Sequence, residues 1–479
     1  MSAIIHPSLS DLLRAAEHGT IPASVDLEAA SEEISLTRTF IQTLLRQPNR
    51  SLIYGLNTLP GHRDGDEVSE SNLLDLQTQI IRSHLVPSHN AVYTPYQSRC
   101  ISVAKLVSLA KGGTGISELT FRWLSLAVQD PAFAPKIYEN QSYSSGDVIP
   151  AAHWVEGLLQ WIGQRDQTFR LAAGDAMALV NGNFVHAGLS LALVKPLRRC
   201  LALWSRMQAL LLSSLGGAFH LPPPDAINES ETFSVFLKFI ESAAFDALPV
   251  SAMVSESISP QLPVSVRATA EILRVLVRAV LNHEDELKLT LSRKSGNPLY
   301  AATERRVYSQ ASFLAPELAI AQSALIEAIL FSCGAAINQI EYVFSGEVIG
   351  VPLDGNRPHD KLGSIQLIKE MYSRLEYFRT ISSRRLFSSS ISTSKGIEDL
   401  CSFGEIVCSI LSELIAFSEE IYSRIIILLE FVCQIFLKRP PLFFKPKINE
   451  SDFLVDVVRG NELRLLKIFR TEKFGADST

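Results

Sequence analysis

The residues best placed to do unusual chemistry are in the stretch Ser142-Tyr143-Ser144-Ser145-Gly146-Asp147-Val148-Ile149-Pro150-Ala151-Ala152-His153. A main-chain amide nitrogen can attack the carbonyl two residues back only if the attacking position is flexible and unhindered, and Gly146 meets that condition. Ser144 would supply the carbonyl. Loss of water from Ser145 between them would leave a five-membered ring with an exocyclic methylidene, an electrophile that no ordinary side chain offers. Read as residues alone, Ser-Ser-Gly-Asp fits equally well as a polar turn capping the helix that follows.

The words Ser-Ser-Gly-Asp-Val-Ile-Pro-Ala-Ala-His resemble the prosthetic-group loop Ala-Ser-Gly-Asp-Leu-x-Pro-Leu-x-His of the aromatic amino acid ammonia-lyases and aminomutases, the histidine, phenylalanine and tyrosine lyase family. Ser144 replaces the usual alanine, whose side chain stays outside the ring. The resemblance implies a 4-methylidene-imidazol-5-one (MIO) formed autocatalytically from Ser144, Ser145 and Gly146, with no metal and no external cofactor.

Other words of the family follow in order over roughly residues 50–430. Tyr54-Gly55-Leu56-Asn57-Thr58-Leu59-Pro60-Gly61 is similar to the inner lid Tyr-Gly-x-Asn-Thr-Gly-Phe-Gly and keeps five of its seven specified letters. By that resemblance Tyr54 removes the substrate's β-proton, which requires its phenol to titrate below the ordinary value of about 10. The lid closes the site against water, and Leu59 and Pro60 stiffen it. Leu76-Gln77-Thr78-Gln79-Ile80-Ile81-Arg82-Ser83-His84 resembles Leu-Gln-x-x-Leu-x-x-Ser-His, in which the position of His84 contacts the substrate side chain. A single helix histidine more often packs or hydrogen-bonds locally. Gly174-Asp175-Ala176-Met177-Ala178-Leu179-Val180-Asn181-Gly182 resembles the segment whose asparagine, here Asn181, helps to hold the substrate. A carboxamide suits that task because it donates and accepts, and Asn181-Gly182 also fits a helix-ending turn. Gly396-Ile397-Glu398-Asp399-Leu400-Cys401-Ser402-Phe403-Gly404 resembles Asn-Gln-Glu-Asp-His-Val-Ser-Met-Gly, which places Glu398 at the amino group or an imidazole of the substrate. Read bare, Glu398 and Asp399 are first-turn helix acids favoured by the helix dipole.

One family word is absent. The lyases carry Gln-Asp-x-Tyr-Ser-x-Arg-Cys, whose arginine clamps the substrate carboxylate in two parallel hydrogen bonds. The counterpart here, Ser251-Ala252-Met253-Val254-Ser255-Glu256-Ser257-Ile258-Ser259-Pro260-Gln261, contains neither arginine nor tyrosine, and none occurs from Leu221 to Val266. A desolvated carboxylate without a partner is strongly disfavoured, so a substrate with a masked carboxylate, such as a carrier-tethered amino acid or an amide, is expected beside the free aromatic amino acid. Asn297-Pro298-Leu299 survives, whereas Ser309-Gln310-Ala311-Ser312-Phe313 is a blurred version of its family word.

Long helices must position these groups. Apolar residues recur at helical spacing in Ile272, Val275, Leu276, Ala279 and Val280, in Leu318, Ala321, Leu325, Ala328 and Ile329, and in Ile410, Leu414, Phe417, Ile421, Ile425, Leu428 and Val432. Strand-like alternation is almost missing, which predicts an all-α chain. The resemblance implies an L-aspartase/fumarase-like fold, with a long central helical bundle shared in a homotetramer and active sites built from more than one chain. The expected organisation is an N-terminal region of residues 1–195 carrying lid and ring-forming loop, a bundle over 196–440, and a tail over 441–479.

The net charge of −6 and sequence pI of about 6.0 give no basic footprint for nucleic acid. The apolar run Ile425–Leu437 holds Glu430 and is shorter than the roughly 20 residues of a membrane span. Six cysteines without paired spacing, and a start lacking the basic and apolar parts of a signal peptide, make a reducing cytoplasmic location the expectation. Two functions fit: a lyase or aminomutase, or a catalytically inactive paralogue that keeps the helical framework as a scaffold or interaction protein.

Overall fold

The computed structural model describes residues 7–47, 51–139, 142, 146–214, 262–344, 358–382 and 399–435. Ser144, Ser145, Glu398, the segment 251–261 and the tail 441–479 lie outside them. The main described elements, leaving aside three short helical turns, are α1 (Leu9–His18), α2 (Leu27–Leu45), α3 (Leu73–Ser83), α4 (Pro95–Leu109), α5 (Glu118–Gln129), α6 (Val148–Gly163), α7 (Asp175–Val180), α8 (Phe184–Ser214), α9 (Thr269–Ser292), β1 (Leu299–Ala301), β2 (Arg306–Tyr308), α10 (Pro316–Phe344), α11 (Pro358–Ser382) and α12 (Gly404–Ile435). The architecture is all-α. Its antiparallel hairpin pairs Leu299 with Tyr308 and Ala301 with Arg306, and Tyr300 is buried with Ile41, Ile53 and Leu56 in a local core.

The helix ends follow from local chemistry. Asp26 accepts from the amides of Glu28 and Ala29 to start α2. Thr94 and Gln97 form a reciprocal capping box at the head of α4, with Pro95 in the first turn, where its missing N–H costs nothing. From Ser98 to Leu109 every residue of α4 is buried, so this helix shows almost no polar face. Such a helix needs neighbours all round, and α1 and α5 are two of them.

The chain divides into two compact units. One comprises residues 1–194, 282–323 and 385–410, and it contains every predicted site residue. The other comprises 195–281, 324–384 and 411–479. Inside the second, Gln208, Gln339 and Thr269 form a buried amide and hydroxyl network, and Tyr422 meets Ser332 at 2.6 Å. Phe378 stacks on Phe417 with ring centroids 4.9 Å apart, under the guanidinium of Arg374.

The predicted apolar stripes are tested directly by burial. Leu318, Ala321, Leu325, Ala328 and Ile329 are all buried, as are Leu414, Phe417, Ile421 and Ile425. Ile410 and Leu428 are half-buried. In α9 the stripe is rotated. Val275 is 43% exposed, while Leu273 and Val277 join Ile272, Leu276 and Val280 inside. The stretches Asp175–Leu212 and Pro316–Phe344 have the length and hydropathy of membrane spans, and the apolar windows of both are mainly buried inside the protein.

Candidate active site

The site is assembled around two short segments, Asn181–Phe184 and Gly146–Asp147. The first is fixed by a cascade that begins at Gln77 of α3. Its carboxamide oxygen accepts from the amides of Gly174 and Ala176 at 3.1 and 3.0 Å, satisfying donors that the start of α7 would otherwise leave unpaired. Asp175 opens the same helix. Its carboxylate accepts from Ser117 N, Ser117 Oγ, Thr120 Oγ1 and Ala172 N, all within 2.8 Å, tying α7 to the head of α5. Burial still pushes Asp175 above the usual carboxylate range.

Asn181 ends α7, its amide donating to Met177 O at 3.0 Å. Its side-chain oxygen accepts from the amide of Asn297 at 3.1 Å, which leaves the carboxamide NH2 as the end able to donate. Its main-chain carbonyl accepts from Lys105 Nζ at 3.0 Å, and that amine lies 4.1 Å from the centre of the Phe184 ring. Lys105 is 1% exposed, and burial drives its pKa well below the ordinary value. Asn297 also accepts from Gln310 N, and Asn183 donates to Ser312 O at 3.1 Å.

The second segment rests on the same platform. Gly146 has φ +88°, and a Cβ there would meet the Phe313 ring at 3.2 Å, so only glycine suits the position. Asp147 stands at the N-cap of α6 but does not cap it with its side chain. The helix-capping reading of Ser-Ser-Gly-Asp is therefore corrected for Asp147. Its Oδ2 accepts instead from the amide of His186 at 3.2 Å, a first-turn donor of α8.

His186 is buried, and its Nε2 donates to Gln322 Oε1 at 2.8 Å. Gln322 in turn donates to Ser190 Oγ at 2.7 Å, and Ser190 to His186 O. Among the described residues the imidazole Nδ1 has no hydrogen-bond partner. Gly404 is pressed against it, and a Cβ on Gly404 would lie 2.2 Å from Nδ1. Beside Gly404, Glu405 is fully buried in the first turn of α12. Burial, and then the facing carboxyl of Asp147, raise the Glu405 pKa well above the usual carboxylate range.

The predicted residues are distributed unevenly in this arrangement. Gly146 and Asn181 stand on one platform, joined through Asn183, Ser312 and Phe313. Tyr54 is half-buried, and its hydroxyl accepts from Gly61 N at 3.5 Å across its own loop. Gly55 beside it lies against Met177, so the Tyr54 loop is seated on the helix that ends in Asn181. His84 terminates α3, and its Nδ1 donates back to Ile80 O at 2.7 Å. Among the described residues no contact links it to Asn181 or Asp147. Five residues escaped the sequence reading: Lys105, His186, Gln322, Glu405 and Asn297 as the partner of Asn181. The surviving Asn297-Pro298-Leu299 word was the one available signal.

The family model for aromatic amino acid lyase matches residues 8–436, and the chain belongs to that family. Histidine ammonia-lyase of Streptococcus sanguinis is 27% identical over 233 residues, 45% of this chain and 42% of that protein. The chain thus spans about two fifths of that relative's length. Among solved structures, a phenylalanine aminomutase of Pantoea agglomerans superposes with a TM-score of 0.75 at 18% identity, covering 99% of this chain and 95% of the other. A tyrosine aminomutase from Streptomyces globisporus gives 0.75 at 18% identity, with 97% and 98% covered. The fold is the all-α, aspartase/fumarase-like one.

Proposed function

We propose that the chain is an MIO-dependent ammonia-lyase or aminomutase acting on an aromatic amino acid or a carboxylate-masked derivative. The observation that carries this reading is the shared platform of Gly146 and Asn181, with Gly146 in a positive-φ conformation and the Phe313 ring crowding the place where a Cβ would stand. These features fit a ring closed through the Gly146 nitrogen onto Ser144, with Ser145 dehydrated between them. Such a ring supplies an electrophilic methylidene carbon able to capture an amine. Asn181, its oxygen held by Asn297, donates from its NH2 to the substrate. Tyr54 Oη takes the β-proton, its loop seated on Met177. His84 and Glu398 serve the substrate's side chain and amine. Without the carboxylate-clamping arginine, a carrier-tethered or amide substrate is favoured. Assembly as a cytoplasmic homotetramer belongs to the same proposal.

Intact-protein mass decides the reading. The expected value is two waters below the encoded mass, accompanied by an ultraviolet band of the conjugated ring and loss of activity in Ser145→Ala. An unreduced mass overturns the proposal and favours the scaffold. Binding assays with free and carboxylate-masked aromatic amino acids then separate the substrate classes.

A further inference from the structure

Helix α7 is six residues long and wholly buried, and it ends in Asn181, the residue to which the functional reading gives the task of holding substrate. An isolated helix shorter than about 12 residues is marginal, so the place of α7 is decided by what grips its ends. Its first end has no grip of its own. Gly174 stands at the N-cap in a left-handed conformation with φ +91° and has no side chain with which to cap.

Gln77 supplies that cap from α3. It is completely buried, and its single carboxamide oxygen takes the Gly174 and Ala176 amides together, at 3.1 and 3.0 Å. Its NH2 donates to Leu73 O at 3.0 Å, one turn back in α3, which fixes the way the carboxamide faces. The side chain is out of reach of solvent, so bulk water replaces neither of the accepted bonds when it is lost. Asp175 ties the same turn to Ser117 and Thr120 at the head of α5, and Arg38 donates to Ala173 O at 2.7 Å. Neither takes the two amides that Gln77 takes. From that clasp to Asn181 is about 9 Å of helix, fewer than two turns, too short to absorb a displacement before it reaches the carboxamide.

We propose that Gln77 is a positioning residue for the reaction: by capping α7 from another helix, it sets where the Asn181 carboxamide meets the substrate. This rests on the reading above, in which Asn181 donates to the substrate.

The test is a double-substitution cycle between Gln77→Met and Asn181→Ala. Methionine keeps the unbranched shape and strands both amides. Activity is measured with L-tyrosine, L-phenylalanine, L-histidine and their carboxamides, using the compound turned over fastest, while intact mass and circular dichroism report on ring and fold. Expected is a folded Gln77→Met chain with the two-water mass loss and kcat/KM lowered about tenfold or more, and less than about a twofold further loss when the same change is made in Asn181→Ala. If Asn181→Ala turns over nothing, the cycle is read in the Kd of that compound, in chains that also carry Ser145→Ala and leave it unreacted.

An unchanged kcat/KM, or an equal loss in both backgrounds, overturns the inference and leaves the functional reading intact. Equal losses would mean that Gln77 acts through other groups on its turn, such as the Tyr54 loop, whose Leu56 lies against Gly174. If the unaltered chain keeps its encoded mass, both fall. Should Gln77→Met fail to fold, Gln77→Glu decides. While protonated, the introduced acid repeats the native pattern, its O–H donating to Leu73 O and its C=O accepting both amides; ionised, it loses the donor. Asp175 and Arg38 are the charged groups flanking that turn. The expected profile stays near the unaltered kcat/KM at its acid end and falls about tenfold as pH rises through the new titration, a limb that Asn181→Ala chains lack. A profile that superposes on the unaltered one overturns the inference.

Discussion

The buried amine of Lys105 holds the main-chain carbonyl of Asn181 at 3.0 Å, from a helix 76 positions earlier in the chain. The contact fixes the turn between α7 and α8, and it places an ionisable group where burial disfavours its charged form.

Lys105→Met tests what that amine contributes. Methionine keeps the unbranched stem and removes both the costly buried amine and the donor to Asn181. These effects oppose one another, so stability should stay within about 1 kcal/mol of the unaltered protein near neutral pH. The difference should move in the variant's favour as pH falls, since the lowered amine pKa means the unfolded chain binds the proton more readily. Activity should fall about tenfold in kcat/KM, corresponding to about 1.4 kcal/mol of lost positioning. An unchanged kcat/KM with the same melting curve would remove Lys105 from the site's support.

Asn181→Asp separates the two ends of one side chain. The aspartate can still accept from Asn297 N, so the platform should persist and the melting temperature should change little. The donating NH2 is gone and a negative charge takes its place. We expect kcat/KM to fall by roughly a hundredfold, in line with about 3 kcal/mol for a lost hydrogen bond next to a new buried charge. Asn181→Leu, which also strands the Asn297 amide, should be the less stable of the two.

His283 sets a pH dependence whose sign can be worked out. It is completely buried, with Nε2 on Ser190 O and Nδ1 without a partner among the described residues, and burial lowers its pKa to about 4. Unfolded, the ring takes its proton near the ordinary value of about 6.5. Between those values the unfolded chain binds more protons, so the histidine's contribution is present above pH 6.5 and is lost as pH falls toward 4. The loss over that window is about 3 kcal/mol. Glu405 works in the opposite direction. Its raised pKa keeps the folded acid protonated while the unfolded one ionises, so its contribution fades as pH rises from about 4.5. Denaturant titrations of His283→Gln, which preserves a donor toward Ser190, should show the acid limb flattened by about 1.4 kcal/mol per pH unit. An unchanged acid limb would assign that sensitivity elsewhere.

The fold was largely legible because buried helices repeat their apolar residues at fixed spacing. The stripe through Leu318, Ala321 and Leu325 was read correctly for that reason. In α9 apolar residues occur on adjacent faces, and the sequence offers no means of telling that Val275 faces outward while Leu273 and Val277 face in.

The site was legible only where one residue carries its meaning in its neighbours. Gly146 and Asn181 stand inside recognisable words. The partners of Asp147 do not, because they come from positions 186 and 405, and no local pattern connects those to residue 147. Asp147 sits where a helix cap belongs, which hid its actual acceptor role toward α8. Gln77 belongs to a recognised word, but its use as the clasp on α7 depends on a contact 97 positions away.

The contact of Asn181 with Asn297 also sets a schedule. The two residues are 116 positions apart. A nascent chain cannot bring them together until the ribosome has released the segment that follows α9. The platform around Asn181 is thereby withheld from half-made polypeptide and completed only in a longer chain.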